Sequence, residues 1–309
     1  MPSEKPTGGP ALADPEASPP TPTRTTSADE VTGLDALELG PKRTEGRAAD
    51  LGRAVWSSAW PKLLAIALVI VVWQIVFLAE WKPPFALPAP LTVFEDLADL
   101  VVSPEFPSAI AITAQRAVTG FLLAVAIGTV IGAAVARFRP LRAAIGSLIT
   151  GLQTMPSIIW FPFAILLFQI SETAILFVVI LGAAPSVANG LISGIDYVPP
   201  TWLRVGKVLG MRGLSLYRLL ILPASLPSFI SGLKQGWAFA WRSLMAGELL
   251  VIVAGQGSIG SLLQGAREFN NAPRLLSWII IVLLLGILVD ILFNAVDNAL
   301  RRRWGLQQS

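Results

Sequence analysis

The sequence predicts an all-α polytopic membrane protein with about six transmembrane helices. Apolar side chains make up 54% of the 309 residues and charged ones only 14%, a composition too hydrophobic for an ordinary soluble domain of this length. The chain contains neither cysteine nor histidine, which excludes disulfides, thiol nucleophiles, Cys or His metal sites and histidine proton relays. Little enzyme chemistry remains, so we predict a protein that is not an enzyme and holds no metal.

Residues 1–55 are predicted to form a disordered tail. They are rich in Pro, Thr, Ser, Ala and acidic residues and show no apolar period, so they cannot bury enough surface to offset the entropy lost on ordering. A signal peptide is not expected, because no basic start leads into an apolar core and a small-residue cleavage site. Residues 56–304 are predicted to form the membrane domain, and residues 305–309 a second, short tail.

Six apolar segments within this domain are long enough to be spans. The predicted spans are residues 63–79, 117–136, 145–170, 174–195, 226–253 and 275–300. Gly128 and Gly132 in the second span form a small-xxx-small pair that favours close packing of another helix. Pro156 and Pro162 interrupt the third span, and prolines there indicate a kink or a break that lines a cavity.

The distribution of Lys and Arg predicts the orientation, because cytoplasmic loops are enriched in them. Six crossings place four basic groups on one side: Arg53 and Lys62; Arg137, Arg139 and Arg142; Arg204, Lys207, Arg212 and Arg218; Arg301, Arg302 and Arg303. The opposite loops are mainly acidic, including a Pro-rich loop with Glu95, Asp96 and Asp99 after the first span. We therefore predict a multi-pass protein of the cell membrane (plasma or inner membrane) with both termini in the cytoplasm.

Residues 199–223, here called the hairpin, form a short basic stretch between apolar segments. Two prolines open a first short helix, and Gly210 and Gly213 bracket a turn, because glycine accepts the positive φ that ends a helix. A second short helix is predicted to stop at Pro223. The result is a helical pair with an apolar face and a basic rim. Composition allows two interpretations: docking to a cytoplasmic partner, or resting on anionic lipid.

Several motifs lie along the chain in a fixed order. They are LPAP at 87–90, Gln115-Arg116 followed by Gly120-Phe121, LQTMPSIIWFPFAILLF at 152–168, Gly210 with Leu222-Pro223, and WRSLMAGELL at 241–250. Through them the chain from about Phe85 onward resembles the permease subunits of binding-protein-dependent ABC importers, most closely the group for aliphatic sulfonates, taurine and nitrate. Arg204, Val205 and Gly206 stand where that family has Glu-Ala-Ala, so the charge of the first position is reversed.

The resemblance implies a type I ABC importer (MetI-like) permease fold with a coupling hairpin. It also implies a second permease copy, expected as a homodimer, two ATPase subunits and an extracytoplasmic solute-binding protein, within membrane lipid and without nucleic acid. ATP and Mg²⁺ are expected on the ATPase, with no cofactor in this chain, because Gly206-Lys207 is followed by Val208 where a phosphate loop needs Ser or Thr. The implied ATPase-coupling residues are Arg204, Gly206, Lys207, Gly210, Arg212, Gly213, Leu222 and Pro223.

Ionisable residues at membrane depth are costly and therefore candidates for function. In the fifth predicted span these are Lys234, Arg242 and Glu248; Lys234 can extend to the cytoplasmic interface, whereas Arg242 and Glu248 are candidates for the translocation pathway. One hypothesis is that Arg242 contributes positive potential to an anion pathway, with Ser243 nearby. The alternative is that Arg242 pairs with Glu248 or with backbone carbonyls across a dimer, although the spacing of the two charges on one helix is poor for a direct pair. Met155 and Trp160 either line the pore beside the proline break or pack a kinked helix.

The sequence favours a permease of an ATP-driven importer that moves a small anionic solute into the cytoplasm. A secondary transporter driven by an ion gradient is the alternative, but such proteins often have internal repeats and buried carboxylates or histidines. This chain has no histidine and no clear repeat. A membrane scaffold or enzyme subunit would not need the hairpin at its spacing before Pro223. The solute itself is left open, because selection in such importers lies largely with the binding protein.

Overall fold

A computed structural model describes residues 47–303, and every regular element it assigns in this range is helical. The helices are α1 Arg47–Leu78, α2 Pro90–Val102, α3 Glu105–Arg137, α4 Arg139–Thr154, α5 Phe161–Phe168, α6 Glu172–Asp196, α7 Pro200–Val208, α8 Leu214–Leu250, α9 Ile259–Glu268 and α10 Ala272–Arg303. The chain divides into two units at Ile66 and Ala67. The described part of the first unit is helical, and all contacts below lie within the second.

The number of apolar helices agrees with the prediction of about six spans. Helices α1, α3, α6, α8 and α10 are each long and apolar enough to cross a membrane. The sixth candidate is a broken pair, residues 140–154 and 157–168, whose two parts are bent by 102°. The break falls at Pro156, which has extended backbone angles, as the prolines in the third predicted span indicated.

Helix α3 extends further toward the N-terminus than the predicted second span. Helix α3 begins at Glu105 rather than at residue 117, and the reason is Arg116, whose charge ends the apolar run in the sequence. In the folded chain Arg116 is buried inside the helix, because a carboxylate from another helix neutralises it. A local hydropathy pattern does not register such a partner.

The prediction that the second short helix of the hairpin ends at Pro223 was wrong. Leu222 and Pro223 lie inside α8, which runs from Leu214 to Leu250 and contains a π-helical turn over Tyr217–Ile221. The N–H of Leu222 donates to the carbonyl of Tyr217, five residues back. This change of register directly before Pro223 makes room for a ring that, in an α-helix, crowds the carbonyl four residues back. The fifth span therefore continues directly from the hairpin.

Two short amphipathic helices were not predicted. Helix α2 occupies the region expected to be a Pro-rich loop, and α9 lies between α8 and α10. Apolar residues at helical spacing, Val93, Leu97 and Leu100, follow Pro90 in the first turn of α2. Leu100 packs in one cluster with Trp278 of α10. Both short helices thus bury an apolar face against α10.

Helix α6 lies at the centre of the bundle and packs against α3 and α8. Small residues allow these helices to approach closely. A Cβ atom on Gly128 would lie 2.6 Å from the carbonyl oxygen of Ala184, and one on Gly190 would lie 2.6 Å from the Cα of Gly232. The packing role predicted for Gly128 and Gly132 is confirmed, and α3, α6 and α8 form a tight three-helix core.

The two predicted tails remain predictions for the most part. Residues 1–46 and 304–309 lie outside the described residues. Helix α1 begins at Arg47, inside the stretch predicted as the N-terminal tail, so the helical part of the chain starts earlier than the composition indicated.

Candidate functional site

The hairpin has the two-helix geometry that its glycines predict. Gly210 and Gly213 have φ angles of +82° and +53°, values that side chains disfavour. After α7, the N–H of Met211 donates to the carbonyl of Gly206 at 2.9 Å and the N–H of Gly210 to that of Lys207 at 3.1 Å. These two bonds form a Schellman motif, which satisfies the last carbonyls of α7. The chain then enters α8 directly.

Gly206 sets how α7 lies on α8. It is buried, and a Cβ atom there would lie 2.9 Å from a methyl group of Leu216. A larger residue at this position would force the Leu216 side chain to shift. Arg204, where the charge is reversed relative to the family, is exposed, so this difference does not affect the buried contact at Gly206.

The outer surface of the hairpin combines apolar and basic side chains. Val208 is 87% exposed, and Val205, Leu209 and Leu214 are also largely exposed. Between them lie the exposed cations Arg204, Lys207, Arg212 and Arg218. Exposed apolar side chains next to polar ones mark an interaction surface. Of the predicted coupling residues, Leu222 is exposed and Pro223 is half-buried, but both belong to α8 rather than to the hairpin turn.

Ser243 lies at the break between α4 and α5. Its hydroxyl donates to the hydroxyl of Ser157 at 2.8 Å, and Gly182 of α6 leaves the space that Ser243 occupies. Met155 is exposed at the same break, whereas Trp160 is half-buried and packs on the main core cluster. The structure thus brings Ser243, Met155 and Trp160 to one level of the bundle.

Arg242 lies on the exposed side of α8, apart from Glu248. Its guanidinium is 5.3 Å from the ring centre of Phe239. It lines a cavity of about 370 Å³ between α8 and α10, together with Lys234 and Gln235. Lys234 is already paired, with Asp290 at 3.1 Å. Among the described residues Arg242 has no carboxylate partner, so its charge in this cavity is not offset by any of them.

Glu248 instead belongs to a buried cluster that connects α3 and α8. Its carboxylate pairs with Arg116 Nη1 at 3.0 Å and accepts a hydrogen bond from the Thr113 hydroxyl at 2.9 Å. All three residues are at most 2% exposed. Thr113 and Arg116 are three residues apart and so share one face of α3. We call these residues, together with Gln256, the far-end cluster, because Glu248 lies near the end of α8 remote from the hairpin.

The start of α9 completes this cluster. The N–H of Gly260 donates to Glu248 at 3.0 Å, and the N–H of Ile259 donates to Thr113 at 3.1 Å. A helix N-terminus carries partial positive charge and so favours the carboxylate. Gln256, in the loop before α9, accepts a hydrogen bond from Arg116 Nη2. Glu248 is therefore held by donors from α3 and α9.

Sequence reasoning selected Glu248 but missed Arg116 and Thr113. Arg116 was noted only as part of a motif, and the one partner considered for Glu248 was Arg242, whereas the structure pairs Glu248 with Arg116. A signal was present, because Arg116 and Glu248 are opposite charges inside helices that are otherwise apolar, and such charges normally pair. The described residues contain no group of three or more His, Cys, Asp or Glu able to hold a metal ion.

A bundle of apolar helices long enough to cross a membrane, with a buried charge cluster at one end and an exposed basic hairpin at the other, is the architecture of a polytopic membrane protein. The chain belongs to the family described as binding-protein-dependent transport system inner membrane component, whose model matches residues 117–302. It is therefore a permease component of an ABC importer of the inner membrane, built from several membrane-spanning helices.

Curated relatives support the predicted permease group. The aliphatic sulfonates transport permease protein SsuC of Bacillus subtilis is 28% identical over 78% of this chain and 87% of its own length. The taurine transport system permease protein TauC of Escherichia coli is 25% identical over 76% and 86%. The nitrate import permease protein NrtB of Synechocystis is 26% identical over 74% and 84%.

A solved structure shows the same fold. A chain of the MetNI methionine ABC transporter, described as inward facing, superposes with a TM-score of 0.54 at 17% sequence identity. The match covers 67% of this chain and 98% of that chain. The predicted type I importer (MetI-like) fold is confirmed.

Proposed function

We propose that this permease takes up a small anionic solute of the sulfonate, taurine or nitrate class into the cytoplasm, driven by a separate ATPase that docks on the hairpin. The observation that carries the proposal is the surface of the hairpin, where exposed apolar side chains such as Val208 lie among exposed cations. Two ATPase subunits bind ATP and Mg²⁺. A second copy of this chain and an extracytoplasmic binding protein complete the importer.

The connection of the hairpin to the bundle provides a mechanical route. Helix α7 lies between α6 and α8 in the chain, and these two helices are in backbone contact at Gly190 and Gly232 and again at Gly194 and Ser225. Helices packed this closely move together rather than slide freely. Closure of the ATPase subunits on the hairpin therefore moves α6 and α8 as one lever between two transport states.

Docking is tested by placing a charge on the exposed apolar surface. Val208→Glu should abolish co-purification of the ATPase, because the new carboxylate has to be desolvated in the interface. The matched control is Phe269→Glu, which changes a side chain of similar exposure, 86% against 87%, beyond the opposite end of α8. ATPase recovery at the wild-type level with Val208→Glu, or an equal loss with both variants, would contradict docking on the hairpin.

The anion pathway is tested at Arg242. Its guanidinium has no carboxylate partner among the described residues and lines the cavity between α8 and α10. An anion passing through this cavity would pair with the guanidinium. Arg242→Gln should lower uptake of taurine or nitrate by roughly tenfold, the effect of losing one hydrogen bond to a charged group, whereas Arg242→Lys should retain most of it. Uptake is measured in proteoliposomes at equal complex content, and normal uptake by Arg242→Gln would reject the pathway role.

The same proteoliposomes test the energy source. Uptake should require enclosed ATP and continue after ionophores collapse all ion gradients. Uptake that does not require ATP and that ends when the ion gradients are collapsed would contradict this proposal and support the secondary-transporter alternative.

A further inference from the structure

Both helices that flank the hairpin bring a carboxylate to one guanidinium at their other ends. Glu248 lies near the last turn of α8, and Glu172 is the first residue of α6. Arg116 of α3 is 3.0 Å from Glu248 through Nη1 and 3.6 Å from Glu172 through Nε. The two arms of the lever thus converge on a single side chain of a third helix.

The guanidinium of Arg116 is incompletely bonded in this conformation. Nη1 donates to Glu248 and Nη2 donates to Gln256, but Nε is buried and has no hydrogen-bond partner. A buried N–H group without a partner is costly. The Glu172 Oε1 atom lies 3.6 Å from Nε, which is beyond the ~3.2 Å limit of an N–H···O bond by only about 0.4 Å.

The two carboxylates differ in their freedom to move. Glu248 is fixed, because Thr113, Arg116 and the N–H of Gly260 all donate to it. The Glu172 side chain is 42% exposed and lies at the helix end remote from the hairpin. Glu172 is in the first turn of α6, beyond the close contacts of α6 with α8 at Gly190 and Gly194. A small displacement of this first turn closes the third bond of Arg116, and the opposite displacement opens it further.

We propose that Arg116 is a positioning residue that acts as a latch: its bond to Glu172 forms in one transport state and breaks in the other, while its bond to Glu248 persists. The latch gives the first turn of α6 two defined positions relative to α3, because a bond at Nε is either made or not made. This inference rests on the proposed coupling of the hairpin to an ATPase. It adds the element that converts motion at the hairpin into a discrete change at the far end.

The experiment uses the complete importer and the variant Glu172→Gln. This exchange removes the charge that closes the latch but no hydrogen bond present in this structure, so assembly and thermal stability should be unchanged. Uptake should fall roughly tenfold, the loss of one charge-assisted hydrogen bond, while ATP hydrolysis continues, so the number of ATP molecules hydrolysed per solute should rise. A purely structural role for Arg116 predicts no change in this ratio.

The matched control is Glu105→Gln. Glu105 is another half-exposed carboxylate at the start of a helix and pairs with Arg274 at 2.9 Å, but it lies outside the lever. A normal ATP-to-solute ratio in Glu172→Gln, or an equal rise in both variants, would overturn the latch. Failure of the underlying proposal is distinguishable, because the wild-type chain would then not co-purify with any ATPase.

Discussion

The two ends of α6 and α8 handle charge in opposite ways. At the hairpin end, Arg204 and Lys207 are exposed beside apolar side chains such as Val208. At the far end, Arg116 and Glu248 are buried and paired. Exposed charges contribute little to the stability of the single chain and remain available to a partner, whereas a buried pair defines geometry and is costly to break. The hairpin end is therefore suited to binding a partner, and the far end is suited to fixing the positions of the helices.

The largest expected effect comes from breaking the buried pair. Glu248→Leu leaves Arg116 charged and uncompensated inside the bundle, and the expected loss of stability is about 3–5 kcal/mol. Thermal unfolding of the purified permease measures it. The double variant Arg116→Met with Glu248→Leu removes both charges and should recover part of the loss, because the N–H of Gly260 and the Thr113 hydroxyl still lack their acceptor. A single variant as stable as the wild type would show that the pair does not fix the far end.

A smaller effect is expected in the middle of the lever. Gly190→Ala places a methyl group 2.6 Å from the Cα of Gly232, so α6 and α8 must separate, at a cost of about 1–3 kcal/mol. Gly146→Ala is the control, because nothing lies within 4 Å of a Cβ atom there, and it should be neutral or slightly stabilising. Equal unfolding temperatures for the two variants would mean that α6 and α8 are not tightly joined.

The smallest effect is expected at an exposed pair near the hairpin. Arg142 Nη2 contacts Asp196 Oδ1 at 2.6 Å, a shorter distance than the 3.0 Å between Arg116 and Glu248. The side chains of this pair are nevertheless 43% and 48% exposed. Asp196→Asn should therefore cost only ~0–1 kcal/mol, and 1 M salt should abolish the difference. A loss as large as that of Glu248→Leu would show that distance, not burial, governs these pairs.

Much of the fold follows from local pattern, and the exceptions have physical causes. The long apolar runs predicted the spans, and Pro156 predicted the break in the third one. The start of α3 was missed because Arg116 interrupts its apolar run and is neutralised by a residue distant in sequence. Helix α2 was missed because Pro and acidic residues hid the apolar period of Val93, Leu97 and Leu100. The stop at Pro223 failed because a π-helical turn accommodates the proline.

The same distinction applies to the candidate sites. The conformations of Gly210 and Gly213 are local, so the hairpin turn was predictable from those two residues. The partner of Glu248 was not, because nothing in the spacing along α8 connects it with Thr113 or Arg116 of α3. Arg242 and Glu248 do face different neighbours, as their spacing on one helix predicted.

The wide turn over Tyr217–Ile221 has a consequence for every later residue of α8. Such a turn corresponds to one extra residue in the helical path, and each residue rotates the helix by about 100°. Deleting one residue within this turn would restore uniform winding and carry Ser243 and Glu248 round to another side of the helix. The π-helical turn thus sets the rotation of the rest of α8, so that Ser243 faces Ser157 and Glu248 faces Arg116.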